Sequence, residues 1–303
     1  MANELMTYKQ QTVDVIESRV NKLQQQGNIH LPAGYSASNA LKSAWLILQD
    51  VVDKDGKAAL VTCDQNSITN ALFDMCIQGL NPAKKQAYFV VFGKKLILMR
   101  SYFGSMAVAK MVDPTIEGIY AEVVYEGDAF DYQIRRGKKE VINHKQQLGN
   151  LDKSKIIGAY AEVVDYDGNV KRTEIMSYEE ILQSWKQSRM NPFDQNGKLK
   201  AGTTHSKFTA DMCKRTVINK VCKPIINSSS DNELLQAAIN RAGDEMAEEQ
   251  AQEEVQAKAN QGPVIDIEPD DQPPYPTEYV GDEQAQPEQQ EQPEPTPPPY
   301  SVG

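Results

Sequence analysis

Apolar residues in the first part of the chain recur at helical spacing. Val13, Ile16, Val20 and Leu23 lie three and four apart, the pattern of one face of an amphipathic helix, and Gly27 marks its end. After Tyr35 and Ser36, the residues Leu41, Trp45, Leu48 and Val52 define a second apolar stripe, and Asp53 to Gly56 reads as a turn. Ser67 is placed to cap a third helix through Leu72, Met75 and Cys76, which Gly79 and the pair Asn81-Pro82 stop. The period then changes from helical to extended. Gln86 to Phe92, Gly93-Lys94 and Lys95 to Met99 have the pattern of a β-hairpin with glycine at its turn, and Ser101 to Val112 that of a short helix.

Tyr120-Ala-Glu-Val-Val124 and Tyr160-Ala-Glu-Val-Val164 are identical over five residues. Tyr and Val favour strands, so the match points to two strands of one sheet making similar contacts. Asp165 to Gly168 turns the second of them into Val170 to Met176, a further hairpin; the remaining ligand positions of an EF-hand are absent there. Ser177-Tyr-Glu-Glu180 is a capping box opening a helix through Ile181, Leu182 and Trp185. A polar loop over 191–202 precedes a strong helix pattern from Ser206 to Cys222, which Pro224 is expected to stop. Asp231 is placed to cap a last helix containing Leu234, Leu235, Ala238, Ile239 and Met246.

The pattern predicts an α+β fold, antiparallel sheet and hairpins packed with helices in one core domain. An N-terminal helical segment spans 1–34, the core 35–230, a helical extension 231–260 and a tail 261–303. Eleven of the sixteen prolines lie beyond Gly262 among Glu, Gln and Asp, a composition that cannot bury enough surface to fold, so the tail is expected to be disordered. Charge divides along the same line. Residues 1–230 hold 30 Lys and Arg against 24 Asp and Glu, a formal +6, whereas 231–303 hold 2 against 18, a formal −16. The whole-chain charge of −10 therefore hides a mildly basic body.

Several chemistries find no support. There is no G-x-x-x-x-G-K-[ST] loop, no G-x-G-x-x-G and no nucleophile elbow. His30, His144 and His205 are isolated, and Cys63, Cys76, Cys213 and Cys222 form no CxxC pair; buried reduced thiols are their expected role. No apolar run approaches the ~18–20 residues that a membrane span requires, and no leader-like segment opens the chain.

The positive signal is basic residues interleaved with aromatics. Lys84-Lys85, Lys94-Lys95, Arg100-Ser-Tyr102-Phe103 and Arg135-Arg-Gly-Lys-Lys139 lie at strands and turns, near Tyr88, Phe89 and Phe92. Lys207, Lys214 and Arg215 fall on the expected helix after residue 205, with Lys207 and Lys214 two turns apart on one face, roughly 10 Å along the axis. Lys and Arg neutralise backbone phosphates without reading sequence, while rings stack on bases. Lys207, Lys214 and Arg215 are the leading candidates for phosphate contact, followed by Arg100, Lys94 and Lys95.

Over roughly 40–225 the chain resembles the RecT family of phage recombinases. The resemblance is carried by Gln78-Gly-Leu-Asn-Pro82 with the strand after it, Arg100-Ser-Tyr-Phe-Gly104 and Val124-Tyr-Glu-Gly-Asp128. The Tyr160 strand, Thr173-Glu-Ile-Met-Ser177, Thr204-His205 and Met212-Cys-Lys-Arg-Thr-Val-Ile218 complete it. Where the family has Tyr-Arg-Gly, this chain has Tyr102-Phe103-Gly104, and Arg100 is the residue placed to compensate. The resemblance implies annealing of complementary single-stranded DNA without ATP or any required cofactor. It also implies a homo-oligomeric ring or filament on the single strands and the annealed duplex, in the cytoplasm of a bacterial host. An exonuclease and the host single-strand-binding protein are the implied partners, with no membrane. A magnesium-dependent nuclease or a structural, chaperone-like phage oligomer are the alternatives.

Overall fold

The structure, a computed structural model, describes residues 2–187, 192–228 and 233–241. It begins with four helices. Helix α1 (Ala2–Gln25) turns Val13, Ile16 and Val20 inward against α2 (Ala37–Leu48) and α4 (Gln65–Ile77), with the one-turn α3 (Ala59–Thr62) between them. Ser36 caps α2 through Asn39 N–H, and Leu41, Trp45 and Leu48 are buried. Val52 lies beyond the helix end and stays half exposed, bridging Ala58 instead of continuing the stripe.

Ser67 is not the cap of α4. Asp64 is, its Oδ1 accepting from Ser67 N–H at 2.8 Å, because a carboxylate one step before the helix reaches the orphan donor directly. Ser67 is buried instead and joins α4 to the sheet, its Oγ donating to Asp64 O and accepting from Leu96 N–H. That contact belongs to the first hairpin, β1 (Ala87–Phe92) and β2 (Lys95–Arg100), in register from Ala87–Arg100 to Phe92–Lys95. Gly93 takes a left-handed φ of 57° at its turn.

Ser101 then caps α5 (Tyr102–Val112). Strands β3 (Ile116–Tyr125), β6 (Ile156–Asp165) and β7 (Val170–Ser177) form an antiparallel sheet in the order β3-β6-β7. Between β3 and β6 a separate hairpin is inserted, β4 (Ala129–Arg135) and β5 (Lys138–Lys145). The repeated pentapeptides pair with each other about Ala121 and Ala161. Their contacts differ, however. Tyr120 is more than half exposed and donates to Glu117, while Tyr160 lies beneath Phe130 and His144 of the inserted hairpin.

Helix α6 (Tyr178–Lys186) opens with the capping box of Ser177 and Glu180. Helix α8 (Thr209–Asn227) buries Cys213, Val217, Val221 and Cys222 against the sheet face formed by Ala159, Ala161 and Val163. The expected single helix from Ser206 is in fact two. The short α7 (Thr204–Lys207) ends at Phe208, whose φ −123° and ψ 52° leave the helical region. Pro224 does not stop α8 but sits inside it, and the apolar face continues to a buried Ile226. A proline there removes one helical N–H and costs about 3 kcal/mol in isolation; burial of the flanking Val221, Cys222 and Ile226 offsets that.

Residues 233–241 are helical, with Leu235 and Ala238 in the core and Arg241 paired to Asp74 at 2.6 Å. Asp231, Met246 and the tail over 261–303 lie outside the described residues. All four cysteines are buried free thiols, and burial pushes Cys76, Cys213 and Cys222 up to about 12. Among the described residues no helix is long and apolar enough to cross a membrane, and no three His, Cys, Asp or Glu are grouped to hold a metal ion.

Candidate nucleic-acid interface

An open groove of about 930 Å³ runs between the first turn of α5, helix α6 and the outer stripe of α8. Five cationic side chains line it (Lys85, Arg100, Arg215, Lys220 and Lys223) against a single carboxylate, Glu180. That carboxylate is occupied. It accepts from Ser177 N–H in the capping box, a bond that holds it below the usual carboxylate range.

The groove wall at α5 is built by close backbone approach. A Cβ on Gly104 would lie 2.1 Å from Gln86 O and 2.7 Å from Arg100 Cγ, so only glycine lets the helix start this near the hairpin. Ser101 Oγ accepts from Gly104 N–H and donates to Lys85 O at 2.6 Å, fixing the corner. Arg100 closes β2 beneath it. One of its guanidinium nitrogens donates to Gln78 Oε1 at 2.8 Å, while its buried Nε has no hydrogen-bond partner. Burial lowers its proton affinity, the nearby Cys222 thiol opposing the effect. A cation held this way is expensive until an anion reaches it.

Helix α8 supplies the other wall. Met212, Arg215, Thr216, Asn219, Lys220 and Lys223 recur three and four apart on its groove side, and Arg215 to Lys223 spans about 12 Å. Arg215 lies 5.2 Å over the Tyr102 ring. Tyr102 in turn packs on Phe103 with ring centres 4.0 Å apart, leaving Phe103 44% and Tyr88 46% exposed in the groove. Trp185 is buried at the floor, donating to Thr216 Oγ1 at 2.8 Å and meeting His205 edge-on at 4.7 Å. Burial and then Arg215 lower the His205 pKa, so that ring stays neutral near pH 7.

The six candidate residues divide on this geometry. Arg100 and Arg215 face the groove together. Lys214, one residue from Arg215, points elsewhere and pairs with Glu122 on β3 at 2.8 Å. Lys207 is exposed on α7, and the break at Phe208 removes the shared face with Lys214. Lys94 and Lys95 are exposed at the far end of the first hairpin, outside the groove lining. Lys85 was named only as part of the Lys84-Lys85 cluster, and Lys220 and Lys223 were not named. The last two stand five and eight residues after Arg215 and both precede Pro224, Lys220 inside the expected helix and Lys223 one residue past its expected end, so the stripe was legible from helical spacing alone.

A cationic groove edged by exposed rings has the chemistry that backbone phosphates and bases call for. The chain matches the RecT family over residues 38–259, most of its length, and belongs to that family. Membership implies single-strand annealing and recombination, and the matched span contains every residue of the groove. A search of curated proteins returned no match.

Proposed function

We propose that this chain binds single-stranded DNA in the groove between α5, α6 and α8 and anneals it to its complement without nucleotide hydrolysis. The observation that carries the reading is the uncompensated charge of the groove, five cations facing one carboxylate that is already hydrogen-bonded. Phosphates of the bound strand meet Arg215, Lys220 and Lys223 along α8 and reach Arg100 at the end of β2. Phe103 and Tyr88 offer rings to bases, a contact worth about 1–3 kcal/mol per base and indifferent to sequence. Phe103 thus replaces the family's arginine with a stacking surface, and Arg100 and Arg215 supply the charge.

Base pairing provides the free energy and the specificity, so the protein needs to extend a strand and present its bases. Neighbouring copies in a ring or filament turn weak contacts per subunit into avid binding. The same reading places the protein in the cytoplasm of a bacterial host, beside an exonuclease and the host single-strand-binding protein, with no cofactor.

The test is a double variant, Arg215→Gln with Lys223→Gln, since neither side chain makes an ion pair among the described residues. Single-strand affinity is expected to fall at least about tenfold, near 1.4 kcal/mol, and the slope of affinity against salt to flatten. Annealing without ATP should fall with it while the unfolding midpoint holds. Unchanged affinity and slope would remove the groove as the binding site.

A further inference from the structure

The inserted β4–β5 hairpin carries a basic cluster that the groove does not use. Its turn is Arg136-Gly137, both at positive φ (53° and 76°), the two-residue turn whose twist matches that of the strands. The turn projects Arg135, Arg136 and Lys138, all exposed. Across a cleft of about 510 Å³ between β5 and β7 stands Arg172, also exposed.

The carboxylates of this cleft are spoken for. Glu174 lies 3.7 Å from Lys139, Glu140 accepts from Gln133 and Glu162 from Thr173. Lys139 is further anchored by donating to Ile175 O, and Lys171 pairs with Asp113. Arg135, Arg136, Lys138 and Arg172 make no ion pair among the described residues. Beside them Tyr132 and Ile134 are half exposed or more, leaving a ring next to the free charge.

No residue of the cluster lines the groove, although Arg172, opposite Val163 on the edge strand β7, lies on the sheet face that carries α8; it is the hairpin itself that occupies the other face. Ala159, Ala161 and Val163 face α8, so alternation along β6 sends Tyr160 to the opposite face, where Phe130 and His144 of the hairpin cover it. We propose that the hairpin tip, Arg135, Arg136 and Lys138 with Arg172, is a second nucleic-acid contact that captures the phosphates of the incoming complementary strand. This rests on the annealing reading: one strand fills the groove, and the second has to be gathered near it before bases meet. Loose capture at an exposed cationic tip raises the local concentration of that strand without hiding its bases.

The variant that tests it is Arg135→Gln, Lys138→Gln, Arg172→Gln in the full chain, leaving Arg136 because it holds the turn. Two quantities are read. One is the affinity for a labelled single strand; the other is the rate at which a complementary strand anneals onto the preformed complex. The expected result is affinity within about twofold of the parent and annealing at least about fivefold slower at low salt, the deficit closing as ionic strength rises. An unchanged annealing rate, or a deficit that persists at high salt, would overturn the proposal. So would an equal loss of single-strand affinity, which makes the tip part of the first-strand path, or a smaller assembly by mass photometry, which makes it a contact between copies. The groove reading fails on a different result, unaltered single-strand binding by the Arg215/Lys223 variant.

Discussion

The two short hairpins have similar outlines and opposite fates. Each is an antiparallel pair closed by a two-residue turn with basic residues at its tip, Gly93-Lys94 in one and Arg136-Gly137 in the other. The first buries Ala87, Phe89, Leu96, Ile97 and Leu98 and lies along α4. The second leaves Tyr132, Ile134 and Ile142 exposed and is held by polar contacts at its root. A hairpin alone is marginal in water, so each must borrow stability from what it touches. The first borrows it from the core and so fixes Arg100 at the groove. The second keeps its surface free.

The contrast breaks first in the core. Leu98→Ala should destabilise the fold by about 2–5 kcal/mol, since the site is buried and cannot fully collapse. Ile134→Ala, at a residue 67% exposed, should stay within about 0.5 kcal/mol. Urea unfolding followed by circular dichroism separates them. Similar losses at both positions would mean that the second hairpin is packed against something in solution, and the comparison would fall.

The root of the second hairpin gives the next effect. Asp128, with its side chain fully buried, has one oxygen serving three donors, Tyr125 N–H at 2.9 Å, Gln146 at 3.0 Å and His144 at 3.2 Å, while Oδ1 has none. Burial raises its pKa, but these bonds together outweigh it and hold the carboxyl below the usual range. A depressed folded pKa means the stabilisation is present above the unfolded value, about 3.9, and is lost as pH falls through the folded one. Asp128→Asn should therefore destabilise at pH 7 by about 1–3 kcal/mol and matter progressively less in acid below pH 4. A penalty independent of pH would assign the effect to packing instead of charge.

How much of this was legible in the chain follows the same division between local and tertiary causes. The Ser177–Glu180 box is a local device that acts on the next three residues and caps its helix as the sequence implies, and the helices expected after Ser36 and from Ser101 begin where they were placed, those two serines acting as the caps. The first hairpin follows from its alternation and glycine turn. The misses are tertiary. Ser67 has the chemistry of a cap but is drawn inward by Leu96 of a strand 29 residues away. Pro224 is a local stop signal overruled by burial on both sides. Lys214 and Arg215 are indistinguishable as cations in sequence; position on the helix gives one a carboxylate on β3 and the other a tyrosine ring in the groove.

The smallest effect concerns the tip of the first hairpin. Lys94 and Lys95 are exposed, and the corner there is held by backbone, Asp64 N–H donating to Lys94 O at 2.8 Å, so neutralising the side chains leaves the turn intact. Arg100 stands five residues along β2 from Lys95, roughly 16 Å at the rise of a strand. That exceeds the ~8–10 Å over which exposed charges act at ordinary salt. A strand confined to the groove would therefore feel the pair weakly. Lys94→Gln with Lys95→Gln should change single-strand affinity by less than about threefold, under ~0.7 kcal/mol, with the salt slope nearly unaltered. A tenfold loss with a flatter slope would mean that the bound strand leaves the groove along β2 and reaches the tip, so that both hairpins, not the second alone, present their turns to DNA.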